Sequence, residues 1–278
     1  MRLKKTVAHF IGCAALIAGC GAAPCTHAAT LNAQYSITLA GLPLGTVDVA
    51  SAIEGERYQL QLQAKLTGLA GLITSGGLSA TAAGAVSGGR PAPTAFAVTS
   101  RNASEQRTVQ MGLTGGKVAA VSIVPPLDDK VDRVPVNDAH KRGVVDPVSA
   151  LIMPALSRGE LVNPANCNRT IPVFDGAARF DIVLSYAGTQ QIQTLGYAGP
   201  VLVCNVRYVP IAGHRTERPG TKFMQDNREM SVWLAPVQGT QVLAPLRIVV
   251  QTMVGMSVVE ASRWTLDSGP ATAPAAAR

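Results

Sequence analysis

The sequence contains few charged and few aromatic residues. Asp, Glu, Lys and Arg make up 15% of the chain and Phe, Trp and Tyr only 4%, whereas hydrophobic residues reach 47%. A disordered chain combines low hydrophobicity with high charge, so this composition indicates a folded protein. Because aromatic rings are scarce, Val, Ala and Leu must form most of the core. The 278 residues suffice for one large β domain or two small ones.

Catalytic motifs are also missing. The sequence has no Gly-x-Ser-x-Gly elbow, no His-x-x-x-His pair, no Cys-x-x-Cys pair and no phosphate-binding loop. Ser149, His214 and an aspartate could be combined into a hydrolase triad, but no sequence motif links them. Asp128, Asp129 and Asp132 lack the spacing of a calcium loop and are interpreted as a solvated acidic loop. We therefore expect a protein that is not an enzyme and has no catalytic residue, metal or cofactor.

No segment after residue 28 is long and apolar enough to span a bilayer. The N-terminus has the form of an export signal, with three basic residues before a short apolar run at 7–17. Two processing routes remain open. Cleavage after Ala28 would make residues 1–28 a signal peptide, whereas Ile17-Ala18-Gly19-Cys20 resembles a lipobox in which residues 1–19 are removed and Cys20 is lipidated. Either route predicts a periplasmic protein, lipid-anchored to the membrane in the second case.

The charge balance is only mildly basic. The whole chain carries a net charge of +7, and removing residues 1–28 takes away three basic residues and no acidic one, which leaves +4. This excess is typical of an ordinary solvated surface, although it would also suit peripheral association with an anionic membrane or with peptidoglycan. Export argues against nucleic acid as a partner.

Two cysteines lie far from the N-terminus. Cys167 and Cys204 remain after export by either route, and neither belongs to a redox or metal motif. Exported proteins mature in an oxidising compartment, where paired cysteines form disulfides. The sequence therefore predicts a structural Cys167–Cys204 disulfide.

Alternation of apolar and polar residues runs through most of the chain from residue 31. Tyr58, Leu60 and Leu62 alternate with glutamines, and Phe180, Ile182 and Leu184 repeat the pattern later in the chain. Such segments are typical of antiparallel strands with one face on a core and one in water. Gly115-Gly116 predicts a hairpin turn, and Gly255 predicts the turn of a last hairpin.

The pattern predicts eleven to thirteen strands and no interdomain linker. We expect an all-β fold in which one large, curved antiparallel sheet forms an open barrel or β-spiral across a single domain, residues 29–267. One or two short helices are expected, and the clearest begins at Asp146-Pro147, with Asp146 as its cap, and ends at Pro154. Residues 213–227 are interpreted as a polar loop and residues 268–278, rich in Pro and Ala, as a disordered tail.

Charged residues are concentrated near the two distal cysteines. Phe174-Asp175-Gly176 has the form of a tight turn. Two interpretations remain open for the surrounding residues: an ion-pair network that stabilises neighbouring strands, or a ligand site at the barrel mouth whose arginines bind an anionic headgroup or carboxylate. The candidate cluster comprises Arg169, Asp175, Arg179, Asp181, His214 and Arg215.

Four sets of motifs are distributed along the chain: Ala29-Thr30-Leu31-Asn32-Ala33-x-Tyr35-Ser36-Ile37 with Gly41-Leu42-Pro43-Leu44-Gly45, Asp146-Pro147-x-Ser149-Ala150, Cys167-x-Arg169-Thr170 with Val173-Phe174-Asp175-Gly176, and Trp233-Leu234-Ala235-Pro236. In these motifs the chain resembles a family of exported proteobacterial proteins of unknown function, DUF3108. The resemblance covers about residues 29–266. It implies an exported all-β domain and no particular activity.

Three functional hypotheses follow. The first is a non-enzymatic envelope protein that binds a lipid, an acyl chain or another envelope protein in a curved barrel, because small apolar side chains on alternating strands can leave a cavity. The second is a ligand-free structural or scaffolding protein for envelope integrity. A hydrolase that uses His140 or His214 ranks last.

Overall fold

The computed structural model describes residues 27–67, 76–128, 131–156, 160–194 and 196–270. These residues form fourteen strands: β1 (His27–Leu39), β2 (Leu42–Glu54), β3 (Arg57–Leu66), β4 (Gly77–Ser87), β5 (Arg90–Arg101), β6 (Gln106–Thr114), β7 (Lys117–Val124), β8 (Met153–Pro154), β9 (Arg169–Phe174), β10 (Arg179–Gln193), β11 (Ala198–Ala212), β12 (Met230–Val237), β13 (Val242–Thr252) and β14 (Gly255–Pro270). One α-helix, α1 (Pro219–Asp226), and three 3-10 turns, Asp138–Lys141, Ser149–Leu151 and Pro164–Asn166, complete the described elements.

The strands form one antiparallel sheet. Its order is β7-β6-β5-β4-β3-β2-β1-β14-β13-β12-β11-β10-β9, and β8 pairs separately with β13. The first and last strands of the domain, β1 and β14, therefore lie side by side in the middle of the sheet. The edge strands β7 and β9 are not paired with each other within the described ranges. The predicted open, curved antiparallel sheet is confirmed.

A segment between the two edges bridges the gap that strand pairing leaves. We call residues 131–145 the strap. Arg142 forms a bridge with Lys117 at the start of β7, and Val145 forms a parallel bridge with Val173 of β9. The N–H of Gly143 also donates to the carbonyl of Gly116, at 2.7 Å. Backbone hydrogen bonds to both edges thus hold the barrel together without a closing strand pair.

The chain then crosses one end of the barrel. We call residues 146–154 the plug. Asp146 accepts backbone hydrogen bonds at the start of the plug, as its predicted capping role requires. The predicted helix is wrong in extent, however, because only the 3-10 turn Ser149–Leu151 forms and Ile152 is already extended, with φ −86° and ψ 116°. Met153 and Pro154 pair with β13 instead, and this tertiary pairing ends the helical turn.

Other expectations need correction at the polar loop and at the ends. The loop predicted at 213–227 contains α1, whose first residue Pro219 has a φ suited to helix entry. The backbone of β14 continues to Pro270, so residues 268–270 belong to a strand rather than to a tail, and residues 271–278 lie outside the described residues. Strand β1 begins at His27, and the rest of the predicted export signal, including Cys20, also lies outside them. Among the helices of the described residues, none has the length and hydropathy needed to cross a bilayer.

The core has two compartments. The larger one fills the barrel interior with inward-facing side chains from β1 to β7 and from β11 to β14, including Tyr58, Phe96 and Trp264. The smaller one lies against the opposite face of β10 to β13, where Leu202, Leu234 and other apolar residues are buried. The C-terminal part of the sheet is therefore covered on both faces, whereas the outer face of β3 to β7 is exposed to solvent.

Candidate ligand-binding site

The predicted disulfide is present in the smaller core. Cys167 follows the 3-10 turn Pro164–Asn166, and Cys204 lies within β11. Their Cα atoms are 5.5 Å apart, and both residues are fully buried. The bridge fastens the segment after the plug to the outer face of the sheet. It lies on the face opposite to the barrel interior, so its place is structural.

Arg169 serves the same segment. Its guanidinium donates to the carbonyls of Asn166, at 2.8 Å, and Pro154, at 2.9 Å, and to Oδ1 of Asn166, at 3.2 Å. Burial lowers the pKa of Arg169, and the charge of Arg90 lowers this pKa further. Three of its donors are occupied by the protein itself, and we therefore assign Arg169 to positioning the segment rather than to ligand binding.

The other residues of the predicted cluster form separate local contacts. Oδ1 of Asp175 accepts from the N–H groups of Ala177 and Ala178, at 2.8 and 2.6 Å, and thereby forms the predicted tight turn. Arg179 pairs with Asp181 within β10, with 2.7 Å between Nη2 and Oδ1. This ion pair is largely buried, with side-chain exposures of 13% and 23%. Arg179 and Asp181 of the predicted network thus form an ion pair, but this pair lies within one strand rather than between neighbouring strands.

His214 and Arg215 hold the strap. Nε of Arg215 donates to Oδ1 of Asp132 at 2.9 Å, and this hydrogen bond lowers the pKa of that carboxyl. The carbonyl of His214 accepts from the N–H of Val134 at 3.0 Å. Nδ1 of His140 accepts from the backbone of Asn137 in its own 3-10 turn, at 3.2 Å. The structure thus distributes the predicted cluster among local supports and does not gather it into one site.

A buried polar group joins the plug to the sheet. Oδ1 of Asp146 accepts from the N–H groups of Val148 and Ser149, at 3.0 and 2.8 Å. The hydroxyl of Tyr58, on β3, donates to Oγ of Ser149 at 2.9 Å. Burial raises the pKa of Asp146, and burial also raises the pKa of Tyr58 to about 12. Sequence reasoning identified Asp146 as a cap but missed its partner Tyr58, because alternation alone assigns that tyrosine to the core.

The residues described contain no set of three or more His, Cys, Asp and Glu placed to hold a metal ion. Ser149, the serine of the hypothetical triad, is fully buried and bonded to Tyr58. The hydrogen bond between Tyr58 and Ser149 therefore fastens the plug to β3.

An apolar cavity of about 160 Å³ lies inside the barrel. Its wall combines residues of β1, β2, β3, β12, β13 and β14 with Leu151 and Ile152 of the plug. The polar groups of this wall are few. Tyr35 donates its hydroxyl to the carbonyl of Pro245 at 2.7 Å, and burial raises the pKa of this tyrosine far above its ordinary range. Ser51 is buried, with 4% exposure. Such a space favours an aliphatic chain or a small ring over a charged group.

The cavity extends from the plug towards the other end of the barrel. We call the end that carries the plug the closed end, and the end with the turns at 40–41 and 253–254 the open end. Four residues of its wall are only half-buried: Val49, Leu62, Ile248 and Val259. Val47, which lies nearer to the open end of β2 than Val49, is buried. The apolar wall of the cavity is therefore only partly shielded from solvent.

A wider groove, of about 540 Å³, crosses the outer face of β3 to β7. It is lined by small or uncharged side chains such as Ala83, Ala95, Gln61, Gln110 and Ser122. No titratable residue lines this groove, so it offers neither acid–base chemistry nor an ion pair. The interior cavity is the better candidate because it is apolar and enclosed by several elements.

Alternation of the strands predicted which side chains face the barrel interior. It could not predict which of them leave space, because the volume left unfilled depends on the distance between opposite walls. The cavity residues were therefore missed individually, since alternation is the same for a filled interior and for one that holds a cavity.

Comparisons with known proteins agree with this architecture. A solved structure, the beta-barrel-like protein of domain of unknown function DUF1849 from Brucella abortus, matches with a TM-score of 0.50 and 11% sequence identity. The match covers 89% of this chain and 99% of that protein, and at this identity it shows a similar fold. No curated protein sequence matches the chain. The model of the family described as protein of unknown function (DUF3108) matches residues 34–262, most of the chain, and the chain therefore belongs to the DUF3108 family.

Proposed function

We propose that this protein is a non-enzymatic periplasmic protein of the cell envelope that binds a hydrophobic ligand, such as a lipid acyl chain, inside its barrel. The observation that carries the proposal is the apolar cavity between plug and open end, with its half-buried wall. A core filled for stability alone would be packed to crystal-like density and would leave few voids larger than a water molecule. Accessible apolar surface inside a barrel favours binding over a purely structural role.

The cavity size limits what the barrel can enclose. Its volume of about 160 Å³ is close to that of engineered apolar cavities of about 150 Å³, which take up benzene. Sites for drug-sized molecules are larger, about 300–1,000 Å³. One ring or part of a single acyl chain fits without rearrangement, and the remainder of a longer ligand would extend through the open end.

The small volume also supports a second candidate, a ligand-free structural protein of the envelope. In that case the cavity would be a packing defect of the interior. The two candidates differ in one property: only the first predicts saturable uptake of an apolar molecule.

Filling the cavity tests the first candidate. Leu62→Trp places a larger side chain into the cavity wall, and we expect a loss of about tenfold or more in affinity for a fluorescent fatty acid, since one chain methylene excluded from an apolar site costs about 0.8 kcal/mol and several would be displaced. The matched control is Gln61→Trp, because Gln61 is the adjacent residue and is exposed on the outer face. Fluorescence titration of purified protein supplies the affinities, and thermal unfolding checks that both variants fold.

Two results would count against the acyl-chain proposal. Wild-type protein that shows no saturable probe binding would favour the structural candidate. Equal loss of binding in the Leu62 and Gln61 variants would place the probe outside the barrel.

A further inference from the structure

Two hairpin tips at the open end expose large apolar side chains. Leu42 begins β2 just after the turn from β1, and its exposure is 66%. Met253 and Val254 form the turn between β13 and β14, with exposures of 61% and 71%. We call these three residues the tip patch. They are among the most exposed large hydrophobic residues of the described chain.

The two tips touch each other. The N–H of Ala40 donates to the carbonyl of Met256 at 2.8 Å. A Cβ added to Gly255 would lie 2.8 Å from the Cβ of Ala40. Because β1 and β14 are paired up to Leu39 and Ser257, both turns project from the same end of the barrel. The exposed apolar residues therefore lie on neighbouring turns at one end of the barrel.

The composition of the tips is unusual for hairpin turns. Turns usually carry Gly, Pro, Asn, Asp or Ser, whose backbone preferences and hydrogen bonds suit the turn. Here the two most projecting positions of the second tip are Met253 and Val254, and neither 39–45 nor 251–256 contains a charged residue. Solvent-exposed apolar clusters on soluble proteins mark sites of interaction with proteins or membranes.

The shape of the tips and their lack of charge favour a membrane. The tip patch is convex, since it consists of projecting turns, and a fluid bilayer can accommodate such side chains without a preformed pocket. Exposed charges of both signs lie at the same end, with Lys65 and Arg101 basic and Asp226 and Glu229 acidic. The tips themselves carry no charge that would have to lose its hydration on insertion.

We propose that the tip patch inserts into the surface of a lipid bilayer and so directs the open end of the barrel towards the membrane. This binding surface is separate from the interior cavity and does not depend on the ligand proposed above.

Vesicle binding tests the proposal. The processed protein from the envelope is mixed with vesicles of phosphatidylethanolamine and phosphatidylglycerol and sedimented. We expect the wild type to bind, and the triple variant Leu42→Ser, Met253→Ser and Val254→Asn to lose at least about tenfold in affinity, because burial of even one apolar side chain contributes about one decade. Neither Met253 nor Val254 has a positive φ, so Ser and Asn can replace them without backbone strain, and circular dichroism and thermal unfolding verify that the variant retains the fold. Both proteins carry the same N-terminus, so any lipid anchor contributes equally.

Leu156→Ser is the matched control, because Leu156 is also exposed, at 46%, but lies at the closed end beside Gly89. This variant should bind vesicles as the wild type does. Met253→Trp adds a direct readout, since an inserted indole shifts its emission to the blue.

Several results would overturn the proposal: wild type that stays in the supernatant, equal binding by the triple variant, or unshifted Met253→Trp emission with vesicles. A wild-type dimer that becomes a monomer in the triple variant would assign the patch to a second copy of the chain and would also overturn it. Fatty-acid uptake by the triple variant in solution is measured in parallel, because a failure of the cavity proposal appears there and not in the vesicle assay.

Discussion

Asp146 shows how one side chain joins the plug to the barrel. Its carboxylate is fully buried, and Oδ1 satisfies two backbone N–H groups of the 3-10 turn. An ionised carboxylate is costly to bury, and this desolvation raises the pKa of Asp146 although hydrogen bonds from Ser149 and Val148 lower it.

This environment predicts a pH-dependent stability. The carboxyl of the unfolded chain titrates near its ordinary pKa of 3.8, whereas that of the folded protein titrates at higher pH. Below 3.8 both states are protonated and the contribution of Asp146 is fully present; as pH rises through the raised pKa, stability is lost. We therefore expect the free energy of unfolding of the wild type to fall relative to that of Asp146→Asn as pH rises from this ordinary value.

Chemical denaturation at a series of pH values measures the difference. Asp138→Asn provides the baseline, because the side chain of Asp138 is 77% exposed. A difference between wild type and Asp146→Asn that stays constant with pH would contradict the prediction.

Secondary-structure elements were predicted correctly where local residues determine them and incorrectly where tertiary contacts do. The β6–β7 hairpin was predicted correctly because Gly115 and Gly116 adopt positive φ angles, of 58° and 71°, that glycine adopts without strain. The helix at Asp146 was predicted too long, because pairing of β8 with β13 ends the helical turn. The helix α1 was missed in a polar segment, because the helix propensity of only eight residues is too weak a signal.

The disulfide is the element-scale feature with the clearest energetic prediction. It closes a loop of sequence separation 37, for which chain entropy gives a stabilisation of about 4 kcal/mol. We expect the double variant Cys167→Ala and Cys204→Ala to lose roughly this free energy of unfolding in urea. Wild type with and without reductant provides the control. Native protein in which Cys167 or Cys204 reacts with a thiol reagent would contradict the bridge.

The fold class of the whole molecule was predictable from the sequence. Period-two alternation over most of the chain indicated one antiparallel sheet, and such a sheet is what forms. The candidate site was less predictable. Arg169 and Arg215 were candidates for ligand binding in the sequence, yet local hydrogen bonds occupy both side chains. The cavity is formed mainly by Val, Leu and Ile residues, which the sequence does not distinguish from other core residues.

Export is a prediction at the same scale. The intact mass of the protein from the envelope should correspond to a chain beginning at Ala29 or to a lipidated chain beginning at Cys20, with two hydrogens fewer for the disulfide. A chain that retains residues 1–28 and is recovered from the cytoplasm would contradict periplasmic localisation.

The fold class, the pairing of Cys167 with Cys204 and the main hairpins follow from the sequence alone. These features depend on alternation, on compartment and on turn chemistry, which act between neighbouring residues or follow from composition. The bridging of β7 and β9 by the strap, the cavity beside the plug and the meeting of two apolar tips at the open end follow from tertiary packing. Each of these depends on distances between segments far apart in the chain, and such distances are determined by how the open sheet curves rather than by any local pattern.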